Sequence, residues 1–247
     1  MKIIGVIPAR WASTRFAGKV LADLKGSPML QHVWQRAKQS RTLDEVFIAC
    51  DDDRVFDAAQ GFGAKTVMTS VEHTSGTERI AKAFRLSDAD IIVNIQGDEP
   101  LIEPALIDAV AKALADDTDS VMATAVKRID REEDLNNPNV VKVAVGGNNN
   151  ALYFSRAAIP FYRDPGEFGA RKYFKHIGIY AYRRSFLAKF KELPVSELEQ
   201  SEKLEQLRVL DAGYKITTVE TAYDTIGVDT PEDLKRVEEL IGQGEQI

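Results

Sequence analysis

One cysteine, Cys50, stands in 247 residues, so no internal disulfide and no multi-cysteine zinc site can form. The three histidines, His32, His73 and His176, lie far apart and show no metal-ligand spacing. There is no basic excess: 32 Lys and Arg against 38 Asp and Glu give a net charge of -6. That balance disfavours nucleic acid as a partner. No apolar run approaches the length of a membrane-spanning helix. The opening apolar run, residues 3–8, is too short for a signal-peptide core, and no convincing cleavage site follows it. The expectation is a cytoplasmic protein with neither a membrane nor a nucleic-acid partner. Internal repeats and flexible linkers are also missing. No Gly-x-Gly-x-x-Gly fingerprint is present, which disfavours a flavin or nicotinamide oxidoreductase. Ser13 and Val20 break the Walker pattern around Gly18-Lys19.

What is present suits one domain, with or without a small insert: 44% of residues are hydrophobic and 28% charged. Short apolar runs at residues 3–8, 45–50, 65–69, 90–96 and 121–126 read as strands. Helical patterns lie between them. One opens at Ser27-Pro28, one follows Asp51-Asp52-Asp53, one starts at Ser75 with Glu78 as a capping-box pair, and one covers residues 104–115. This alternation predicts an α/β fold, a mostly parallel sheet with helices on both faces. Further on, residues 140–145 and 151–155 flank a Gly/Asn turn and read as a hairpin. Strands at 175–182 and 215–220 follow. Ser196 with Glu199 predicts a long helix reaching Leu210, and Thr230-Pro231-Glu232-Asp233 opens a last one.

Ligands of such sheets sit beyond the carboxyl ends of the strands, which selects the loops after Pro8, Cys50, Thr69 and Gln96. The loop after the first strand carries Arg10, Arg15 and Lys19 with two hydroxyls and Gly18. Three cations on one loop call for an anion, and a triphosphate would satisfy them. Asp98, after the most apolar strand, is placed to hold Mg²⁺ or else to cap the next helix. Asp229 is a second metal-ligand candidate or a solvated turn acid. Residues 73–79 form a helix start whose backbone N–H groups could meet an acceptor, with Arg79 one turn on. Cys50 reads as a small core residue.

Taken in order, several motifs resemble one family. They are Ile7-Pro8-Ala9-Arg10 with Ser13, Arg15 and Gly18-Lys19; Ser75-Gly76-Thr77-Glu78-Arg79; and residues 94–100, which read Asn-Ile-Gln-Gly-Asp-Glu-Pro. Residues 151–156, 176–180, 204–208 and 228–233 complete the set. Across essentially the whole chain this is similar to the 3-deoxy-manno-octulosonate cytidylyltransferases, the CMP-Kdo synthetases. The resemblance implies a Rossmann-like nucleotide-diphospho-sugar transferase fold. It implies a single cytidylyltransferase domain over 1–247, with a smaller β-containing extension at 130–225 for the sugar pocket and dimerisation. It also implies transfer of CMP from CTP to Kdo with release of pyrophosphate, for lipopolysaccharide biosynthesis, by a homodimer.

The resemblance gives residues roles as well. Arg10, Arg15, Lys19 and Asp98 would be catalytic. Pro8, Ala9, Ser75, Gly76 and Arg79 would join Arg10, Arg15 and Lys19 around the nucleotide. Gln96, Arg156, Arg163, His176, Tyr180, Glu205 and Gln206 would shape the sugar pocket, with an arginine and a histidine facing the Kdo carboxylate. Asp98 and Asp229 would hold Mg²⁺. The family commonly has Pro-Gly-Lys-Pro where this chain has Ala17-Gly18-Lys19-Val20, so a less rigid loop is expected. Two other readings stay open: the same chemistry on the 8-amino analogue of Kdo or another acid sugar, and a non-catalytic nucleotide-binding protein.

Overall fold

A computed structural model describes residues 1–12, 16–73, 75–84, 87–164 and 166–243. Its elements are β1 Ile3–Ala9, β2 Asp23–Leu24, β3 Ser27–Pro28, α1 Met29–Ala37, β4 Glu45–Cys50, α2 Asp53–Gly61, β5 Lys65–Met68 and α3 Gly76–Ala83. Then come β6 Ile91–Asn94, α4 Pro104–Asp116, β7 Met122–Arg128, α5 Glu132–Asn136, β8 Lys142–Val145, β9 Ala151–Ser155 and β10 Phe174–Arg183. The chain ends with α6 Arg184–Phe190, α7 Glu197–Glu202, α8 Leu207–Asp211, β11 Ile216–Glu220 and α9 Pro231–Gln243.

The main sheet runs β11-β7-β10-β6-β1-β4-β5, with the β8–β9 hairpin attached to β10. β1 pairs in parallel with β4 and β6, β4 with β5, and β11 with β7. β10 is antiparallel to both β6 and β7. The main strand of the 130–225 extension therefore lies inside the main sheet, between two strands of the first half.

Alternation along β1 shows why both faces are covered. Ile3 and Ile7 point into one buried cluster with Leu30 and Val33 of α1 and with Leu106 and Val110 of α4. Ile4 and Val6 point into the other, with Ile80 of α3, Phe186 of α6 and Leu207 of α8. A third, smaller cluster joins Leu24, Met29, Val228 and Val237, and so packs α9 and the segment before it against the first half.

Two expected helices differ. α1 begins at Met29; Pro28 is its N-cap in extended conformation, and Ser27 belongs to the short β3. The ring fixes only φ, at −56°, which a helix would also accept; ψ of 140° instead follows the short pairing with Asp23. The long helix from Ser196 to Leu210 is two short ones. Ser196 does cap the first, accepting from Glu199 N at 3.1 Å. Lys203 then adopts a left-handed φ of 55°, which ends α7 and turns the chain before α8. Glu205 and Gln206 lie in that turn.

Candidate active site

Two adjoining chambers open beyond the carboxyl ends of β1 and β6. The first, about 380 Å³, is lined by Pro8, Arg10, Ala12, Lys19, Val20, Gly76, Gln96, Gly97, Asp98 and Asp229. The second, about 200 Å³, has Tyr180, Tyr182, Glu205 and Gln206 among its walls, with Thr77 and Asn94. Gly76 and Gln96 line both. Gln96 is held at this junction by donating to the Gly178 carbonyl at 3.1 Å.

The first chamber centres on Lys19. Its ammonium donates to Asp98 Oδ2 at 2.7 Å, to Asp229 Oδ1 at 3.0 Å and to the Val228 carbonyl at 3.0 Å. Burial opposes the lysine charge, but the bonds and charges of Asp98 and Asp229 outweigh it and raise its pKa. The two aspartates come from distant parts of the chain. Val228 N donates to the Asp98 carbonyl at 2.8 Å, which stitches the two segments together. Asp229 is then oriented from the other side. Its N–H and that of Thr230 both donate to Asp233 Oδ2, at 3.0 and 2.9 Å, while Asp233 N donates to Thr230 Oγ1. This reciprocal cap starts α9 as the sequence predicts. Asp98 caps no helix: α4 starts later, with Glu103 at its N-cap.

Close backbone packing shapes the same floor. A Cβ on Gly97 would stand 2.8 Å from the Pro8 carbonyl oxygen. Gly97→Ala is therefore expected to push β1 and the β6 loop apart, at a cost of about 1–3 kcal/mol. A thermal melt checks the stability loss, and weakened CTP binding should accompany it. The turn before Lys19 is set by Gly18, at φ 69°, where a Cβ would stand 2.8 Å from the Trp11 ring. Trp11 in turn donates its backbone N–H to Asp51 Oδ1 at 3.1 Å, and its ring stacks under the Arg54 guanidinium. Arg15 and Ser13 lie outside the described residues.

Several expected site residues sit elsewhere. Arg79 is fully buried and lines neither chamber. It pairs with Asp51 at 2.7 Å and also donates to Thr69 Oγ1. A buried carboxylate next to it decides the matter: burying Asp51 without that cation would be costly. Ala9 is buried as well, and Pro8 and Gly76 form the wall. Ser75 is the N-cap of α3, accepting from Glu78 N at 3.1 Å.

Of the residues expected around a sugar, Arg156 turns away to the carbonyls of Glu202 and Pro138, at 2.8 and 2.9 Å. Arg163 is exposed and lines neither chamber. His176 stands behind Tyr180, with ring centroids 5.3 Å apart, and its Nε2 is 3.0 Å from Thr124 Oγ1. Burial lowers its pKa to about 4, so it is neutral at physiological pH. The expected arginine and histidine thus place no cation on the second chamber wall. His176 supports Tyr180 instead. Tyr180, Glu205, Gln206 and Gln96 do converge as expected.

The His176 environment carries a pH consequence. Its folded pKa lies below its ordinary value of 6.5. The unfolded chain therefore binds the extra proton first, and stability falls as pH drops from about 6.5 toward 4. His176→Gln should flatten that acid limb in melts taken across this range; an unchanged slope would disprove the assignment.

Sequence reasoning gave no site role to Asn94 and Thr77, though both stand in its motifs, and none to Tyr182. Asn94 could have been found as the polar end of an otherwise apolar strand. Tyr182 needed the sheet order, which sets β10 beside β6, and Thr77 needed the approach of α3 to β10, where its Oγ1 lies 3.5 Å from the Tyr182 hydroxyl. Cys50 is buried, as expected, and burial pushes its thiol up to about 11. Glu99, behind Asp98, is buried too and is raised to about 8 by burial and by the Asp98 charge.

The cytidylyltransferase family model matches residues 4–216. The chain belongs to the cytidylyltransferase family. It is 53% identical to the 3-deoxy-manno-octulosonate cytidylyltransferase of Solibacter usitatus (strain Ellin6076), over 97% of this chain and 94% of that one. The enzyme of the same name from Geotalea uraniireducens (strain Rf4) is 50% identical over 98% and 99%. A solved structure of CMP:2-keto-3-deoxy-manno-octonic acid synthetase complexed with CTP superposes with a TM-score of 0.94. It is 44% identical and covers 99% of this chain and 100% of its own. The cytidylyltransferase is thus a nucleotidyltransferase of Rossmann-like fold, as the motif order implies. Among the described residues no helix is long and apolar enough to cross a membrane.

Proposed function

We propose that the chain transfers CMP from CTP to the anomeric hydroxyl of Kdo, releasing pyrophosphate. The observation that carries this reading is the pair of joined chambers: one cationic with two converging carboxylates, the other polar and walled by tyrosines. Transfer at phosphorus needs in-line positioning and neutralised charge more than covalent help. Arg10 and Lys19 supply cations where a triphosphate would lie. Gln96, at the junction, borders both the nucleotide and the sugar. Tyr180, Glu205 and Gln206 hold the sugar so that its hydroxyl meets the α-phosphorus opposite the departing pyrophosphate.

The donor set also fits Mg²⁺. Asp98 and Asp229 both reach one cation, Lys19 Nζ, within 3.0 Å. Among the described residues no group of three or more His, Cys, Asp and Glu could hold a metal. The pair Asp98 and Asp229 suits an ion which takes one or two carboxylates and completes its shell with phosphate and water. Held there, Mg²⁺ would supply charge neutralisation at the reacting phosphate.

The homodimer that the family resemblance implies belongs to this proposal, with the 130–225 extension as its contact region. Sedimentation at micromolar concentration tests it. Glu205 is the acid on the second chamber wall, which keeps the 8-amino sugar in the comparison. The deciding assay is pyrophosphate release from CTP and Mg²⁺ with Kdo, its 8-amino analogue and N-acetylneuraminate in parallel. Release that requires Kdo supports the reading. Turnover with the amino sugar alone would replace the substrate. No release by a folded sample that binds CTP would overturn the catalytic reading.

A further inference from the structure

Asn94 ends β6 and has no part in the roles given so far. It is 2% exposed and lines the second chamber. Its carboxamide oxygen has no hydrogen-bond partner among the described residues. Gln206, 5% exposed on the same chamber wall, has an unpartnered Nε2. One orphan is an acceptor and the other a donor. Buried polar atoms are seldom left unpaired, because each has given up water without replacement. Two of opposite kind in one chamber of about 200 Å³ mark the place of a ligand.

Both orphans are held by structure that does not depend on that ligand. Asn94 sits opposite Tyr180 in the antiparallel ladder of β6 and β10, at the centre of the sheet. Gln206 follows the left-handed Lys203 in the turn between α7 and α8. Neither can swing far to find another partner.

We propose that Asn94 is a specificity-determining residue of the second chamber. Its Oδ1 accepts from a hydroxyl of the acceptor sugar, while Gln206 Nε2 donates to that hydroxyl or its neighbour. The proposal rests on the reading that this chamber takes the sugar. A hydroxyl both donates and accepts, so it satisfies the two orphans together. A carboxylate would leave Asn94 Oδ1 unmet and would face Glu205. An ammonium would leave Gln206 unmet. The chamber therefore selects the hydroxylated arm of an acid sugar, and a site built to bond a hydroxyl strongly rejects the analogue lacking it.

The test is steady-state kinetics with CTP, Mg²⁺ and varied Kdo on the wild type, Asn94→Leu and Asn94→Ser. The KM for Kdo should rise tenfold or more in both variants, with the KM for CTP within about twofold of wild type. Asn94→Leu should melt no lower than wild type, because the unpaired buried acceptor is gone. If it does not fold, Asn94→Ser carries the comparison alone. An unchanged KM for Kdo, with wild-type turnover intact, overturns the role of Asn94 and leaves the proposed reaction standing. A parallel rise in both KM values with a lowered melting temperature marks a structural role and also overturns it. If the wild type turns over only the 8-amino sugar, the same comparison is made with that sugar. No turnover of any sugar removes both proposals.

Discussion

Asp98→Ala is expected to lower turnover with CTP and Kdo by roughly three orders of magnitude, a loss typical of removing a group that stabilises charge in the transition state. The geometry explains the size. Asp98 stands at the floor of the first chamber beside Gln96 and Gly97, and its Oδ2 is 2.7 Å from the Lys19 ammonium. The proposed Mg²⁺ would lose one of only two carboxylates. The fold should survive: the Asp98 carbonyl, not its side chain, holds Val228 N. Pyrophosphate release measured beside a thermal melt checks both halves. A variant retaining more than about a tenth of wild-type turnover would contradict the catalytic role. A collapse in melting temperature would instead make the side chain structural.

Lys19→Met should cost a factor of roughly 10² to 10³ in kcat/KM for CTP, because a charge-assisted contact to phosphate is lost while the side-chain volume is kept. The same substitution has an opposite effect in the nucleotide-free protein. There the ammonium occupies the oxygens of Asp98 and Asp229. Without it two carboxylates face each other uncompensated, and Mg²⁺ should bind more tightly. Calorimetric titration of Mg²⁺ into the variant reads this directly. Weaker Mg²⁺ binding, or an unchanged kcat/KM, would show that Lys19 does not bridge the metal and nucleotide sites. The raised pKa of Lys19 keeps it charged through the neutral range, so its titration should not shape the pH profile there.

The β1 loop and the segments around Asp98 and Asp229 were readable because each lies just after a strand or just before a helix. Those positions are fixed by local patterning. Apolar runs of period two and capped helices are short-range properties, so the α/β alternation, the hairpin of β8 and β9 and the cap of α9 follow from adjacent residues. The break at Lys203 was not readable. A strong cap at Ser196 and favourable helical spacing both argue for continuation, and only the packing of Leu204 and Leu207 against the core turns the chain.

Charge pairing was hidden for the same reason. Arg79 follows a helix start that looks open to a ligand. Only the packing of α3 against β1 and β4 brings Arg79 within 2.7 Å of Asp51 and commits the guanidinium to the interior. His176 looks like a cation for a carboxylate until burial against Phe154 and Tyr180 lowers its pKa and leaves it neutral. Asn94 opens the motif at 94–100, but no local signal gives it a role. Its position opposite Tyr180 exists only because β10 inserts between β6 and β7. The sequence by itself determined most of the elements, the basic loop and the positions of the acidic candidates, since these depend on neighbours along the chain. The tertiary structure alone decided which polar groups satisfy one another and which are left for a ligand, because burial and pairing depend on residues distant in sequence.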